Sequence, residues 1–131
     1  ISSLFNQLGV IDEHGIYVLS NLPDHKRVDL SDREHFRVHM EKDGNTLYIS
    51  KPILGRATGK WSIQMTRRIN KPDGSFGGVV VISVDPFYFS DFYSGVDLGA
   101  GGVVTLVGLD GRAGPACLDR FFPEISGALR V

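Results

Sequence analysis

Apolar and polar positions alternate along much of this chain, and the alternation marks strands. Trp61-Ser62-Ile63-Gln64-Met65-Thr66-Arg67-Arg68-Ile69 switches almost residue by residue, the two-residue period of a half-buried strand. Lys71-Pro72-Asp73-Gly74 then interrupts with turn residues. Gly77 to Val84 is the most apolar stretch, which predicts a central strand covered on both faces. Val10 to Leu19 holds two apolar runs around Asp12-Glu13-His14-Gly15, a hairpin in which Gly15 supplies a positive φ. Another strand runs through Leu47-Tyr48-Ile49-Ser50 to Lys51-Pro52. Five antiparallel strands are therefore expected at 10–13, 16–20, 46–52, 61–70 and 77–85.

Helix signals fall before, within and after these strands. Leu4, Phe5 and Leu8 form an apolar stripe that suits a last helical turn ending at Gly9. Ser31 or Asp32 is placed to cap a short helix through Phe36, Val38, His39 and Met40. Asp85-Pro86 ends the last strand and opens an aromatic-rich helix, because Asp caps and Pro is tolerated in a first turn. One antiparallel sheet flanked by helices is an α+β domain.

Composition narrows the function classes. The 131 residues are 42% hydrophobic and 22% charged, which is globular rather than disordered. Fourteen basic against fifteen acidic residues leave a net charge of −1, without the basic footprint of a nucleic-acid binder. The one cysteine, Cys117, excludes an internal disulfide and a multi-cysteine metal site. No P-loop, Gly-x-Ser-x-Gly or Gly-x-Gly-x-x-Gly occurs, and the acids Asp12, Asp32, Asp73 and Asp110 mostly fall at turns, where Asp serves the backbone. The reading is a non-enzyme that carries no cofactor.

The chain opens mid-element without Met and stops abruptly at Val131, which reads as a piece cut from a longer protein. Leu106-Val107-Gly108-Leu109-Asp110-Gly111 echoes Gly9-Val10-Ile11-Asp12-Glu13-His14-Gly15. This is either a pair of unrelated hairpins or the start of a second, similar module.

A set of segments in fixed order carries a resemblance. They are Val10-Ile11-Asp12 with Gly15, Leu30-Ser31-Asp32-Arg33-Glu34-His35-Phe36, Ile49-Ser50-Lys51-Pro52, and Gly55-Arg56 with Thr58-Gly59. Thr66-Arg67-Arg68-Ile69, Asp73-Gly74-Ser75-Phe76-Gly77-Gly78-Val79-Val80 and Val84-Asp85-Pro86 with Tyr88-Phe89 follow. Over about residues 9–96 this run resembles the membrane-distal module of double Cache sensor domains, the PAS-like extracytoplasmic regions of bacterial receptors with diguanylate cyclase or histidine kinase outputs. The resemblance implies a distal module over 1–97 and the start of a truncated membrane-proximal module over 98–131. It implies a periplasmic position on an inner-membrane receptor, with membrane helices on either side. It also implies a small-molecule ligand held between the sheet and the loop-helix segment that crosses it. The alternative is a ligand-free PAS-like module that serves dimerisation or protein interaction; a homodimer is compatible with either.

In amino-acid-sensing relatives an Arg-x-Trp-Tyr motif and a later Asp grip the ligand. Arg33-Glu34-His35-Phe36 lies over that motif with Arg matched, His in place of Trp and Phe in place of Tyr, and Ser83 stands at the position matching the Asp. An α-ammonium thus loses its charged partner, and amino-acid binding does not carry over. Arg33 offers a planar fork for a carboxylate, unless Asp32, Asp29 or Glu34 occupies it. Lys51 adds a second cation, unless it only guards the strand edge. Trp61 is either core or ligand platform. The expected site is Arg33, His35 and Phe36 on one side and Lys51, Trp61 and Ser83 on the other, around a small carboxylate. His35 and His39 have an i, i+4 zinc spacing with no obvious third ligand, so no metal is expected.

Overall fold

The computed structural model describes residues 4–42, 44–93, 95–97, 99–100 and 107. Among these described residues six strands and two helices follow in the order β1 (Phe5–Asp12), β2 (Tyr17–Ser20), α1 (Glu34–Glu41), β3 (Tyr48–Ile49), β4 (Ile53–Leu54), β5 (Trp61–Asn70), β6 (Phe76–Val84) and α2 (Pro86–Tyr93). The strands pair antiparallel in the order β2-β1-β6-β5-β3, and β4 pairs separately with β5. The α+β expectation and the central place of β6 agree with this arrangement.

The turns form for the reasons their residues give. Asp12 Oδ1 accepts from the backbone N–H groups of His14 and Ile16, and Gly15 takes φ +85°, which closes the first hairpin. Asp73 Oδ1 accepts from the Ser75 N–H, and Gly74 takes φ +83° in the β5–β6 turn. Asp85 Oδ1 accepts from the Phe87 N–H at 2.8 Å and starts α2.

Four expectations need correction. The stripe around Leu4, Phe5 and Leu8 belongs to a strand rather than a helix end, and residues 1–3 of that expectation lie outside the described residues. Pairing with β6 through Leu8↔Ile82 and Val10↔Val80 overrides the local stripe. Gly9 is not a helix stop; a Cβ there would overlap the Tyr17 ring and the Leu19 carbonyl, so the glycine makes room for Tyr17 across β1. The strand expected at 46–52 shrinks to β3 at Tyr48–Ile49, since Pro52 has no N–H for a ladder, and the separate β4 forms beyond it. Helix α1 has Arg33 as its N-cap residue and no side-chain cap, because Asp32 is engaged elsewhere. Finally, β6 is central but only partly covered on its second face among the described residues: Val79 and Val81 are buried on one face, whereas on the other Val84 is buried and Val80 and Ile82 are half-buried beside exposed Leu8 and Leu19. The second module expected over 98–131 lies outside the described residues except for 99, 100 and 107.

The layer between α1 and the sheet has two halves. Ile11, Tyr17, Leu30, Phe36, Val79 and Val81 form the apolar core. The other half is polar, and register explains its layout. Gln7 pairs with Ser83 and Ser83 with Gln64, which puts an amide, a hydroxyl and an amide in one row across β1, β6 and β5. The next row of β5 and β6, Thr66 and Val81, faces α1. There the Thr66 hydroxyl donates to the His35 carbonyl at 3.0 Å, and its oxygen accepts from His39 Nε2 at 2.9 Å.

The apolar half has little room for change. Gly78 sits at φ +124°, and a Cβ there would overlap the Ile11 carbonyl oxygen. Replacing Gly78 with Ala is expected to lower the unfolding free energy by about 2–3 kcal/mol, from strain and overpacking together. Urea unfolding of the variant measures this, and an unchanged midpoint would contradict the β1–β6 geometry.

Candidate ligand-binding site

The polar row Gln7–Ser83–Gln64 floors a cavity of about 30 Å³, room for roughly two waters. Tyr17, Leu30 and Val81 close its apolar side, and Arg33 and His35 border it from the start of α1. Its cover is the tip of the β4–β5 hairpin: Ile53, Gly55, Arg56, Ala57 and Thr58. The Gly55 N–H donates to the Lys60 carbonyl and the Gly59 N–H to the Gly55 carbonyl, both at 2.8 Å, so the tip is a tight turn. On its outer side lies an open recess of about 590 Å³, bordered by Arg33, Pro52, Ile53, Leu54, Arg56 and Trp61 among others. The hairpin is the wall between the two spaces.

One clasp holds that wall to the segment before α1. The Arg56 guanidinium donates to both Asp32 carboxylate oxygens, at 2.8 and 2.9 Å, and to the Asp29 carbonyl. This bidentate pairing, chiefly the hydrogen bonds from Arg56, holds the Asp32 carboxyl down at about 2. Asp32 is thereby unavailable to its neighbour Arg33, and the Asp29 carboxylate caps the Ser31 N–H instead.

Arg33 is left over. Among the described residues no carboxylate pairs with it. Its Nη2 reaches only the Leu54 carbonyl, at a long 3.5 Å, and its Nε is buried with no hydrogen-bond partner. Buried donors are rarely left unmade, because the desolvation is not recovered.

The remaining groups of the cavity are uncharged. Ser83 Oγ donates to Gln64 Oε1 at 2.7 Å, and both residues are 5% exposed. The Gln7 side chain, equally buried, makes no hydrogen bond among the described residues. Burial, helped by the positive charge of Arg33, pushes the His35 imidazole down from 6.5 to about 4. His35 is therefore neutral at pH 7.

The His35 shift has a measurable consequence. The unfolded chain takes up a proton near pH 6.5 that the folded chain refuses until about pH 4. Stability is thus complete above pH 6.5 and is lost as pH falls toward 4, by about 2–3 kcal/mol. Burial lowers His39 in the same direction. Thermal unfolding between pH 7 and 4 should show the decline, and His35→Gln should flatten part of it while His39 keeps the rest. An identical slope in the variant would contradict the burial of an uncharged His35.

Of the six residues expected at the site, the cavity brings together Arg33, His35 and Ser83, and Trp61 borders the outer recess, 45% exposed. Two do not reach either space. Phe36 is 1% exposed in the apolar core, since one residue along α1 turns the side chain from the polar half to the apolar half. Lys51 is exposed, on the segment between β3 and β4 and next to buried Ser50. Gln64 lines the floor, on the strand expected to supply it, and Gln7, Tyr17, Arg56 and Thr58 join the lining without having been expected there. Strand parity carried a signal for Gln64, which shares its face with Ser62 and Thr66.

Among solved structures the chain is similar to the extracellular domain of a protein assigned as a histidine kinase, rpHK1S-Z16. The identity is 37% with a TM-score of 0.79, over 85% of this chain and 46% of that one. The chain has the PAS-like Cache sensor fold. The same fold recurs in the ligand-binding domain of the Campylobacter jejuni chemoreceptor Tlp3 in complex with 4-methylisoleucine, at 14% identity and TM-score 0.63, over 83% of this chain and 42% of that one. It recurs again in the ligand-binding domain of Mlp24 with asparagine, at 16% identity and TM-score 0.62, over 92% of this chain and 53% of that one. This Cache-type module spans about half the length, or less, of these chains. No family model and no curated protein matches it. No helix among the described residues is long and apolar enough to cross a membrane.

Proposed function

We propose that this Cache-type module is the extracytoplasmic ligand-sensing part of a bacterial transmembrane receptor and that its ligand is a small carboxylate. The observation that carries the reading is Arg33, whose buried Nε has no partner while the neighbouring acid is clasped by Arg56. A carboxylate oxygen supplies the missing acceptor, and a charge-assisted bond of this kind contributes about 1.5–3 kcal/mol. The cavity is too small for an organic ligand as it stands, so binding displaces the β4–β5 hairpin. The ligand favours the displaced position because it makes contacts there that the closed position denies it. That displacement is the event the receptor relays to its cytoplasmic output domain.

A thermal-shift screen with simple mono- and dicarboxylates, amines and neutral amides tests the proposal. A carboxylate at 100 times its dissociation constant should stabilise the module by about 2.7 kcal/mol, and the amines should not stabilise it. A screen in which amines or amides stabilise it and no carboxylate does would overturn the reading.

A further inference from the structure

The charges around the cavity narrow the ligand beyond its carboxylate, and the narrowing rests on the carboxylate reading above. The cavity lining includes two cations and no acid among the described residues. Arg56 is neutralised by its bidentate pairing with Asp32, whereas Arg33 has no anionic partner. Lys51 stays outside. The cavity therefore has one uncompensated positive charge, which one carboxylate balances and two do not. Opposite Arg33 lies the row Gln7–Ser83–Gln64, buried, uncharged and able both to donate and to accept. Ser83 uses its proton on Gln64 Oε1, which leaves the Gln64 N–H groups and the Gln7 amide for a guest. An ammonium placed on that row would lose its hydration, face Arg33 and meet no carboxylate, an arrangement that costs more than it returns. A hydroxyl or keto oxygen meets partners of the right kind.

We infer that the cavity selects a short monocarboxylic acid with a neutral oxygen, hydroxyl or keto, on its α-carbon, and that it excludes α-amino acids. The carboxylate takes the Arg33 fork and the α-oxygen takes the amide row. Neutral His35 at the edge supplies one further donor or acceptor without adding charge. Shortness follows at the end of the acid that carries the α-oxygen, because with the hairpin displaced Tyr17, Leu30 and Val81 still bound the inner side of the space.

Four three-carbon acids of almost one shape isolate the α-substituent: propionate, lactate, pyruvate and alanine. Calorimetric titration of the chain should show lactate or pyruvate binding about tenfold or more tighter than propionate, the value of one well-made hydrogen bond. Alanine should bind weaker than propionate. Gln64→Glu puts a carboxylate into the row at unchanged size and should reverse the order of lactate and alanine. A melting curve establishes that the variant is folded, and Ser83→Asp replaces it if it is not. Alanine matching lactate on the wild type would overturn the inference. Equal binding of propionate, lactate and pyruvate would also overturn it while leaving the carboxylate reading in place. Binding confined to longer acids would refute the shortness, and binding of none of the carboxylates, short or long, would refute the carboxylate reading itself.

Discussion

Replacing Phe36 with Ala is expected to lower the unfolding free energy of the module by about 3–5 kcal/mol, a large share of the roughly 5–15 kcal/mol that a domain typically has. Phe36 is 1% exposed and packs with Ile11, Tyr17, Leu30, Val79 and Val81, so it is the side chain by which α1 grips the apolar half of the sheet. Its ring also meets Phe76 edge-on, with centroids 5.5 Å apart, and Arg68 stacks on the other partner of that pair at 4.9 Å. Truncation removes the transfer energy of the ring and leaves a cavity that Ile11 and Val79, held in the ladder of β1 and β6, cannot collapse to fill. Phe36→Leu should cost less than half as much, because most of the volume stays. Urea unfolding followed by the fluorescence of Trp61, the one tryptophan, measures both. A loss below about 1 kcal/mol for the alanine variant would show that α1 is not anchored through Phe36.

That result bears on what the sequence could and could not convey. Turns were legible because their chemistry is local: Asp12 with Gly15, Asp73 with Gly74 and Asp85 with Phe87 each close a loop within four residues. The long strands β5 and β6 were legible from period and apolar run. The second half of the first strand was legible at Val10 to Asp12, but its first half was not, because Leu4, Phe5 and Leu8 satisfy a helical stripe, and only pairing with β6 some seventy residues later decides against it. Gly9 compounded the misreading. It looks like a stop locally and is a niche for Tyr17 in three dimensions.

The candidate site shows the same division. Alternation in β5 identified a strand, but not which of its faces is covered by α1. The covered face is the polar one, with Ser62, Gln64 and Thr66 buried. Hydrophobic patterning assigns polar residues outward, so a sheet that turns polar residues inward defeats it at the very place where a cavity forms. Arg33, His35 and Ser83 were accessible through the motif they overlie. Gln7 was not, since its row with Ser83 and Gln64 exists only in the register of three strands. The Arg56–Asp32 clasp was equally invisible, with its partners 24 positions apart and its effect exerted on a third residue, Arg33.

Arg33 is where these threads can be tested together. Arg33→Ala is expected to weaken carboxylate binding by about 10- to 150-fold, the equivalent of a charged hydrogen bond worth about 1.5–3 kcal/mol. Arg33→Lys should recover part of the loss, because a point charge replaces a planar fork. The stability of the unliganded module should move the other way. In the folded chain Arg33 has a buried Nε without a partner and one long bond to Leu54, and it caps α1 through its backbone rather than its side chain. Removing it therefore discards an unsatisfied donor and breaks no ion pair, so the melting temperature of the free alanine variant should stay level or rise. A structural arginine behaves in the opposite manner: its loss lowers the melting temperature and affects binding only through the damaged fold. Calorimetric titration of the wild type and both variants, paired with melting curves in the absence of ligand, separates the two roles. Equal affinities would place the ligand elsewhere. Lower affinity accompanied by a clear drop in melting temperature would make Arg33 a strut of the α1 junction rather than a group held ready for an anion.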